Sequence, residues 1–472
     1  LALASLIFAR VRGTGDFEIV ELASWIPALG IYYHVGIDGV SALLILMTAV
    51  LVPVSILVSW REIDRGVKAF HCLVLLLETG MLGVFAALDL FLFYVFWEAV
   101  LIPMIFIIGV WGSGGRIAAA VKFVIFTMVG SVLMLVAIIY MAGATGSFGL
   151  LASYAHRFTI PEQLWLFAGF AAAFAIKVPV IGLHTWLPDA HTEAPTAGSV
   201  LLAGVLLKMG TYGFMRFAMP LFPAAVAAYS DLFLVLAVTG IVAGALLAMV
   251  QPDLKRLIAY SSVSHMGFVM LGLFALERNA VAGAVMQMVN HGLTTGALFL
   301  VVGMLYARKK TRMISDFGGT ARAMPAIAVA FIFMALSSMG LPGLNNFPGE
   351  FLVLLGSFQT RTVLSAIAIS GVVLGAAYLL WAVARVFFGP LRHEEERKLS
   401  DLLPREYAIL LPIALLSVVI GVWPQGLLGK IWRSSDAFIA LSRRVEMIAP
   451  VRPEGSSVPG SAVREPVQGG AR

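Results

Sequence analysis

Six ionisable residues lie inside or at the ends of long apolar stretches of this sequence, where such side chains are rare. They are Glu98, Lys177, Lys208, His265, His291 and Glu350. An ionisable group at bilayer depth costs about 3 kcal/mol even on lenient insertion scales, so each needs a physical reason. Burial lowers the pKa of a lysine and raises that of a glutamate, and histidine titrates near neutral pH unaided. This set of residues could therefore take up and release protons.

The positions of these residues predict a row parallel to the membrane plane. Four of them lie about 15 to 18 Å into their apolar stretches, at 1.5 Å per residue, and the other two lie where a stretch is interrupted. We predict that the row passes protons sideways through intervening hydroxyls and waters. For His265 and His291, a role in helix packing is an equally good interpretation. Lys177 could instead extend its side chain to an interface.

A second set of polar residues follows the interruption of an apolar stretch within "AIKVPVIGLHTWLPDAH" (175–191). Pro179 removes a backbone donor, and we expect the unwound backbone there to give Lys177 a polar neighbourhood. The loop after the break is expected to hold His184, Asp189, His191 and Glu193. These residues could admit protons or simply form a wet loop, and their spacing matches no common zinc site.

Composition identifies an all-α polytopic membrane protein. Of 472 residues, 60% are hydrophobic and 12% charged, whereas soluble domains carry about 25% charged residues. Apolar stretches of about 20 residues, enough to cross a bilayer, recur along the chain. We predict about 12 full transmembrane helices plus an N-terminal remnant at 1–9. The predicted spans are 37–60, 67–87, 88–110, 116–142, 162–181, 196–219, 231–250, 254–274, 279–306, 325–358, 362–389 and 405–424.

Charge in the connecting loops predicts the orientation of the chain. Alternate loops hold about 17 Lys and Arg residues against about 6 in the opposite set, which includes Arg216, so the first set is assigned to the cytoplasm. Residues 427–447 are expected to form an amphipathic surface helix, and 449–472 to be disordered. Glu78 and Asp89 are interpreted as structural residues near helix ends.

The sequence lacks the motifs of a redox or nucleic-acid-binding protein. Its single cysteine, Cys72, excludes a disulfide framework and is interpreted as helix packing. No CxxC pair, P-loop or strand-linked GxGxxG motif occurs. The sequence therefore predicts no metal, no cofactor and no nucleic-acid partner for this chain.

Several segments resemble the antiporter-like subunits of respiratory complex I, and most of all the subunit M group, the counterpart of mitochondrial chain 4. They are "FWEAVLIP", "KVPVIGLHTWLPDAHTEAPTAGSVLLAGVLLKMGTYG", "QPDLKRLIAYSSVSHMGFV", "NHGLTTGALFL" and "GLPGLNNFPGEFLVLLGSF". The resemblance implies a pattern of 14 helices with two inverted five-helix repeats, each containing a broken helix. The division that follows is 1–66 for the remnant, outer loop and one helix, 67–219 and 220–390 for the two proton-channel repeats, 391–424 for a cytoplasmic loop and the last helix, and 425–472 for the surface helix and tail.

The same resemblance implies a proton-translocating membrane-arm subunit of NADH:quinone oxidoreductase, in a bacterial inner membrane. NADH, FMN, iron–sulfur clusters and quinone would then reside in partner subunits, and the antiporter-like subunits L and N would be neighbours. Those two usually carry a lysine at the second break, where this sequence has Glu350; Pro348 departs from the family pattern. The alternatives are a subunit of a multi-subunit Na⁺/H⁺ antiporter and a purely structural membrane subunit.

Overall fold

The structure, a computed structural model, describes residues 1–391 and 399–444. Ten helices in this part of the chain are long and apolar enough to cross a membrane. Two further crossings are each divided into a pair of shorter helices, which brings the number of crossings to the twelve expected. The prediction of a polytopic helical membrane protein with two broken helices is confirmed.

The elements follow one another in this order. The first half contains α1 (Ala2–Arg10), β1 (Ile19–Ile26), β2 (Ile31–Ile37), α2 (Gly39–Ser59), α3 (Val67–Ala86), α4 (Leu90–Ala99), α5 (Leu101–Trp111), α6 (Arg116–Thr145), α7 (Leu150–Ala155), α8 (Ile160–Lys177) and α9 (Trp186–Glu193). The second contains α10 (Thr196–Leu201), α11 (Leu207–Gly213), α12 (Met219–Leu221), α13 (Pro223–Met249), α14 (Leu254–Ala275), α15 (Arg278–Lys309), α16 (Pro325–Ser338), α17 (Asn346–Thr360), α18 (Thr362–Phe387), α19 (Pro404–Val422) and α20 (Gln425–Ser442).

The region expected to be an outer loop before α2 contains an antiparallel hairpin formed by β1 and β2. Its pairing runs from Ile19 opposite Ile37 to Ile26 opposite Ile31. Gly30 closes the turn with a φ of 65°, a conformation that glycine adopts without steric cost. The amide of Leu88 donates to the carbonyl of His34 at 2.8 Å, so the hairpin is tied to the connection between α3 and α4.

The first break ends α8 at Lys177, four residues before the predicted end of the span at 181, and α9 completes the crossing. Pro179 cannot donate a backbone hydrogen bond, and Gly182 has a φ of 92°. The indole nitrogen of Trp186 donates to the carbonyl of Ile176 at 2.9 Å. A side chain therefore satisfies a backbone group that the break leaves without a helical partner.

The second break, expected within the span 325–358, divides that span into α16 and α17. The connecting segment contains Gly340 and Gly343, whose φ values of 73° and 91° are left-handed. Tight turns satisfy part of its backbone, because Gly340 donates to Ser337 at 3.1 Å and Leu341 donates to Leu336 at 3.2 Å.

Two other crossings are irregular near ionisable residues. The span 88–110 is interrupted at Val100 between α4 and α5, where Pro103 lacks the amide that would bond to Ala99. The span 196–219 contains two π-helical segments, Leu202–Leu206 and Phe214–Ala218, on either side of α11. Such segments are rare and occur frequently at functional sites.

The helices divide into a buried centre and an outer ring. The crossing Thr196–Leu221 and the helices α14 and α15 are almost entirely buried, whereas fewer than half of the residues in the apolar stretches of α6, α18 and α19 are buried. Because Lys208, His265 and His291 lie on the buried crossings, the fold places them at the centre of the molecule.

Three smaller expectations have mixed outcomes. Cys72 is exposed on α3 rather than packed between helices. Glu78 lies in the middle of α3 and is half-buried, so it is not near a helix end. Asp89 does cap a helix end, because its carboxylate accepts from the amides at 91 and 92. The surface helix is present as α20; residues 445–447 of that prediction, and the predicted disorder at 449–472, lie outside the described residues.

Candidate functional site

Lys208 forms the centre of the buried polar site. Its side chain has no exposed surface, and its Nζ contacts two groups. It donates to the carbonyl of Ala203 in the first π-helical segment, and it lies 2.6 Å from Nδ1 of His291 on α15. A lysine and a histidine at this distance can exchange a proton directly.

A second histidine and a carboxylate extend this contact into a line. The rings of His291 and His265 lie 5.6 Å apart between centroids. Nδ1 of His265 lies 2.9 Å from Oε1 of Glu350. We call Lys208, His291, His265 and Glu350 the polar line. Four helices supply it, α11, α15, α14 and α17, and each residue is at most 5% exposed.

Glu350 lies in the second turn of α17, directly after the second break. Its Oε1 accepts a second hydrogen bond, from Nε2 of Gln287 at 2.9 Å. Ser338, the last residue of α16, places its hydroxyl 3.1 Å from Nε2 of His265. The break thus brings both of its helix ends to the polar line.

Lys177 lies in an aromatic environment rather than a polar one. Its Nζ is 5.3 Å from the ring centroid of Trp97 and 5.5 Å from that of Phe123, a geometry that attracts a cation. The side chain is 1% exposed, so it does not extend to an interface. The expectation that unwound backbone surrounds its charge is wrong, because the rings from α4 and α6 occupy that place. Its position as the last residue of α8 also favours a cation through the helix dipole.

Glu98 is the nearest acidic partner of Lys177. The two charges interact electrostatically, and Tyr94, one turn earlier on α4, also interacts with Glu98. Within the part of the chain that the structure describes, neither Oε1 of Glu98 nor Nζ of Lys177 has a hydrogen-bond partner. Glu98 and Lys177 therefore interact electrostatically, and no hydrogen bond among the described side chains joins them to the polar line.

The four residues expected in the loop after the first break do not form one cluster, and three of them lie on α9. Asp189 pairs with Lys122 at 2.7 Å and with Arg256 at 3.1 Å. Glu193 accepts from the hydroxyl of Ser113 at 2.7 Å. His184, in the connecting segment, accepts from the amide of Gly182 at 3.2 Å.

His191 is the member of this group that approaches the polar line. It is fully buried and stacks on Phe299 with 4.7 Å between ring centroids. Neither ring nitrogen has a partner among the described residues, and the ring interacts electrostatically with Lys208 and Lys255.

A polar cleft of about 240 Å³ lies at the end of α9, two residues beyond His191. Its charged lining residues are Glu62, Glu193, Lys255 and Arg312. Those side chains belong to or adjoin the Lys- and Arg-rich loops that the charge rule assigns to the cytoplasm.

Sequence reasoning missed a buried ion pair at the opposite end of the molecule. Arg216 was counted as an outer loop residue, but it lies in the second π-helical segment with Nη2 2.6 Å from Oδ2 of Asp38. Burial alone would raise the pKa of the Asp38 carboxyl, but the Arg216 guanidinium and hydrogen bonds from Ser41 hold that pKa below its ordinary value. The N-cap pattern before α2 was the available signal for Asp38.

Gln287 and Ser338 were also missed, because neither is ionisable. Their positions did offer a signal, since Gln287 precedes His291 by one helical turn and Ser338 borders the second break. In residues 1–391 and 399–444, no three His, Cys, Asp or Glu side chains lie close enough to hold a metal ion.

Comparison with known proteins places the chain in a family. Residues 87–375 match the family model described as "NADH:quinone oxidoreductase/Mrp antiporter, TM". NADH-quinone oxidoreductase subunit M of Rhodobacter capsulatus is 46% identical over 421 residues, which cover 86% of this chain and 82% of the relative. The chain belongs to the subunit M family of NADH-quinone oxidoreductases. NADH-ubiquinone oxidoreductase chain 4 of Chondrus crispus is 44% identical over 430 residues, 91% of this chain and 87% of that protein.

The fold of this subunit M family member is also similar to a solved structure. A chain of respiratory complex I from Thermus thermophilus with bound NADH superposes with a TM-score of 0.88 at 37% identity, covering 93% of this chain and 92% of that one. The resemblance to complex I subunits is confirmed. The family model alone would also admit an antiporter, but both relatives are NADH dehydrogenase subunits, which disfavours the Na⁺/H⁺ antiporter alternative.

Proposed function

We propose that this subunit moves protons through the membrane arm of NADH:quinone oxidoreductase along six side chains. They are Glu98, Lys177, Lys208, His291, His265 and Glu350. The observation that carries the proposal is the polar line, in which a buried lysine contacts a histidine at 2.6 Å and a second histidine contacts a glutamate at 2.9 Å. Burying titratable groups in direct contact costs free energy, and a functional role explains why a protein would keep them.

The geometry supports a stepwise transfer. A proton on Nζ of Lys208 can pass to Nδ1 of His291 along their hydrogen bond. Passage from His291 to His265 needs a ring rotation or a bridging water, because the ring centroids are 5.6 Å apart. His265 can then donate through Nδ1 to Oε1 of Glu350.

Glu98 and Lys177 would control when Lys208 is loaded. A carboxylate near Lys177 favours its charged form, and a charged Lys177 disfavours a second charge on Lys208 through Coulomb repulsion. Loss of the Glu98–Lys177 attraction would release a proton from Lys177 toward the centre of the molecule.

Proton uptake is assigned to the polar cleft. Glu193 and Lys255 line the cleft, and His191 interacts electrostatically with both Lys255 and Lys208. His184 and Asp189 would serve only as supporting polar groups, since Asp189 is occupied by Lys122 and Arg256. The charge rule makes this the cytoplasmic side.

The energy for transfer would come from partner subunits. We assign no redox group to this chain, and its single cysteine cannot ligate a cluster. NADH, FMN, iron–sulfur clusters and quinone would be bound elsewhere in the complex. Subunits L and N are the expected neighbours, in the inner membrane of a bacterium.

The test compares Lys208→Ala and Glu98→Ala in assembled enzyme. Both variants should assemble and lose at least about tenfold in NADH-driven proton pumping, since each removes a proton-transfer group. The matched controls Lys68→Ala and Glu21→Ala change exposed residues and should pump normally. Normal pumping in both test variants, at wild-type assembly, would contradict the proposal and favour a purely structural subunit.

A further inference from the structure

The two carboxylate oxygens of Glu350 face different surroundings. Oε1 accepts hydrogen bonds from Nδ1 of His265 and Nε2 of Gln287, each at 2.9 Å. Oε2 faces the second break, where a Cβ built on Gly340 would lie 3.1 Å from it. One oxygen is thus directed to the polar line and the other to the broken segment.

The surroundings of Gln287 restrict its side chain. It is fully buried on α15, and its Oε1 faces the first turn of α17, where a Cβ built on Gly349 would lie 2.6 Å from it. Only the amide NH₂ can donate to a carboxylate, so the bond to Glu350 also determines which way the amide is turned. The hydrogen bond to Glu350 and the close approach of α17 at Gly349 favour this orientation of the amide.

Ser338 completes the arrangement around His265. When Nδ1 carries the hydrogen that is donated to Glu350, Nε2 can accept from the Ser338 hydroxyl at 3.1 Å. A histidine bonded at both nitrogens in this way has a defined tautomer. The proton-bearing nitrogen of His265 therefore faces Oε1 of Glu350.

We propose that Gln287 is a positioning residue for Glu350, holding Oε1 on the polar line so that Oε2 faces the break at Gly340. The carboxylate then exchanges protons with His265 through one oxygen and, through the other, with water at the broken segment. Gln287 does not carry the proton; it keeps the two routes on separate oxygens. This inference rests on the proposed function of the polar line.

The titratable groups around Glu350 are few. His265 faces it from α14, and Tyr378 on α18 interacts with it electrostatically. His291 on α15 lies one step further, beyond His265. The hydrogen bond from Gln287 is therefore one of the two side-chain contacts that orient Oε1, and a charged acceptor gains more from such a donor than a neutral one does.

The test replaces Gln287 by methionine, which has a similar length and no donor. Without the amide, Oε1 of Glu350 loses one of its two side-chain donors. The acid limb of the pH profile of NADH-driven pumping should shift upward by about one pH unit, the expected effect of one lost charged hydrogen bond. Gln251→Met is the matched control: its amide donates to the carbonyl of Leu247 at 2.8 Å, and its profile should not move. An unshifted Gln287→Met profile at normal assembly would overturn the inference.

A second variant keeps the test informative if Gln287→Met assembles poorly. Gln287→Glu preserves the shape, and the introduced carboxyl can donate only while it is protonated. Two carboxylates facing each other repel, so pumping should fail on the alkaline side at a pH at least about one unit below that of the wild type. A wild-type profile for Gln287→Glu would contradict the assigned role.

Failure of this inference can be distinguished from failure of the proposed function. If Glu350→Gln pumps normally, the polar line is not the route, whatever Gln287 does. If Glu350→Gln abolishes pumping while Gln287→Met leaves the profile unchanged, the route stands and the positioning role of Gln287 is wrong.

Discussion

Nζ of Lys208 lies 2.6 Å from Nδ1 of His291, and neither residue has exposed surface. Two basic side chains in such contact cannot both hold a full positive charge in a low-dielectric interior without strong repulsion. On the proposed function, the two residues hold one proton between them, and the arrival of a second proton drives one of the two on to His265.

Replacing His291 by phenylalanine should abolish this sharing. Phenylalanine fills a similar volume but offers no nitrogen, so Lys208 would keep only the Ala203 carbonyl as partner. Pumping should fall by about 100-fold, the usual effect of losing a positioned proton-transfer group. The measurement is NADH-driven acidification in proteoliposomes. His156→Phe, at an exposed position, is the control, and equal pumping by the two variants would contradict a role for His291.

The aromatic environment of Lys177 gives a second prediction. Trp97→Leu removes the closer of its two rings and with it about 2 kcal/mol of cation–π attraction at a desolvated site. We expect a severalfold loss of pumping with assembly retained. Trp165→Leu changes a partly exposed tryptophan that packs on Tyr140 and should have little effect. If both variants lose pumping to the same extent, the effect is general and not due to Lys177.

The buried pair of Asp38 and Arg216 is expected to stabilise the fold. Asp38→Asn keeps an N-cap for α2 but leaves the guanidinium unpaired, which should cost about 3–5 kcal/mol. The control Asp436→Asn breaks an exposed pair with Arg278 and should cost about 1 kcal/mol or less. Thermal inactivation of purified enzyme measures both.

The pH dependence of that difference follows from the lowered pKa of Asp38. Because the folded-state pKa lies below the unfolded value of about 3.9, the ion pair contributes its full stability above that pH. Its contribution is lost as the pH falls through the folded-state pKa. The gap between wild type and Asp38→Asn should therefore stay constant near neutral pH and narrow only below about pH 4.

Close packing of α15 on α17 gives a fourth prediction. A Cβ on Gly283 would lie 2.6 Å from the amide nitrogen of Val353 and 2.8 Å from the carbonyl of Gly349, so Gly283→Ala should force the helices apart. We expect a loss of about 1–3 kcal/mol in stability together with reduced pumping, since α17 carries Glu350. Gly240→Ala, at a helical glycine with open space around it, should be neutral or slightly stabilising. Similar loss in both variants would argue against the packing explanation.

The sequence predicted the membrane crossings because hydropathy and segment length are local properties. It also located both breaks, since Pro179 and the Gly–Pro segment after Ser338 act on their own backbone. The residue at which a helix resumes depends less on the local sequence, so the residues of α9 were expected to form a loop. The β-hairpin was missed because its strands pair with each other and attach to Leu88 in a distant part of the chain.

Partners across the polar line could not be derived from one sequence. His265 and Glu350 are 85 residues apart, and their contact depends on how α14 packs on α17. Gln287 is not ionisable and so was not singled out, although it donates a hydrogen bond to the same oxygen, Oε1 of Glu350. The surroundings of Lys177 were misjudged for a related reason, because the rings beside it come from α4 and α6. The depth of a residue along its helix can be counted from a sequence, whereas its neighbour on the adjacent helix cannot be identified in this way.

The gap between Lys177 and the polar line has a consequence for energy conservation. Nζ of Lys177 has no hydrogen-bond partner in the described residues and is enclosed by Trp97 and Phe123. A continuous chain of bonds across the subunit would let protons run back down their gradient and dissipate it as heat. On the proposed function, the aromatic rings beside Lys177 prevent a continuous hydrogen-bonded path from forming there. They leave no permanent chain of hydrogen bonds along which a proton could leak, so that a proton leaves Lys177 only when its attraction to Glu98 is lost.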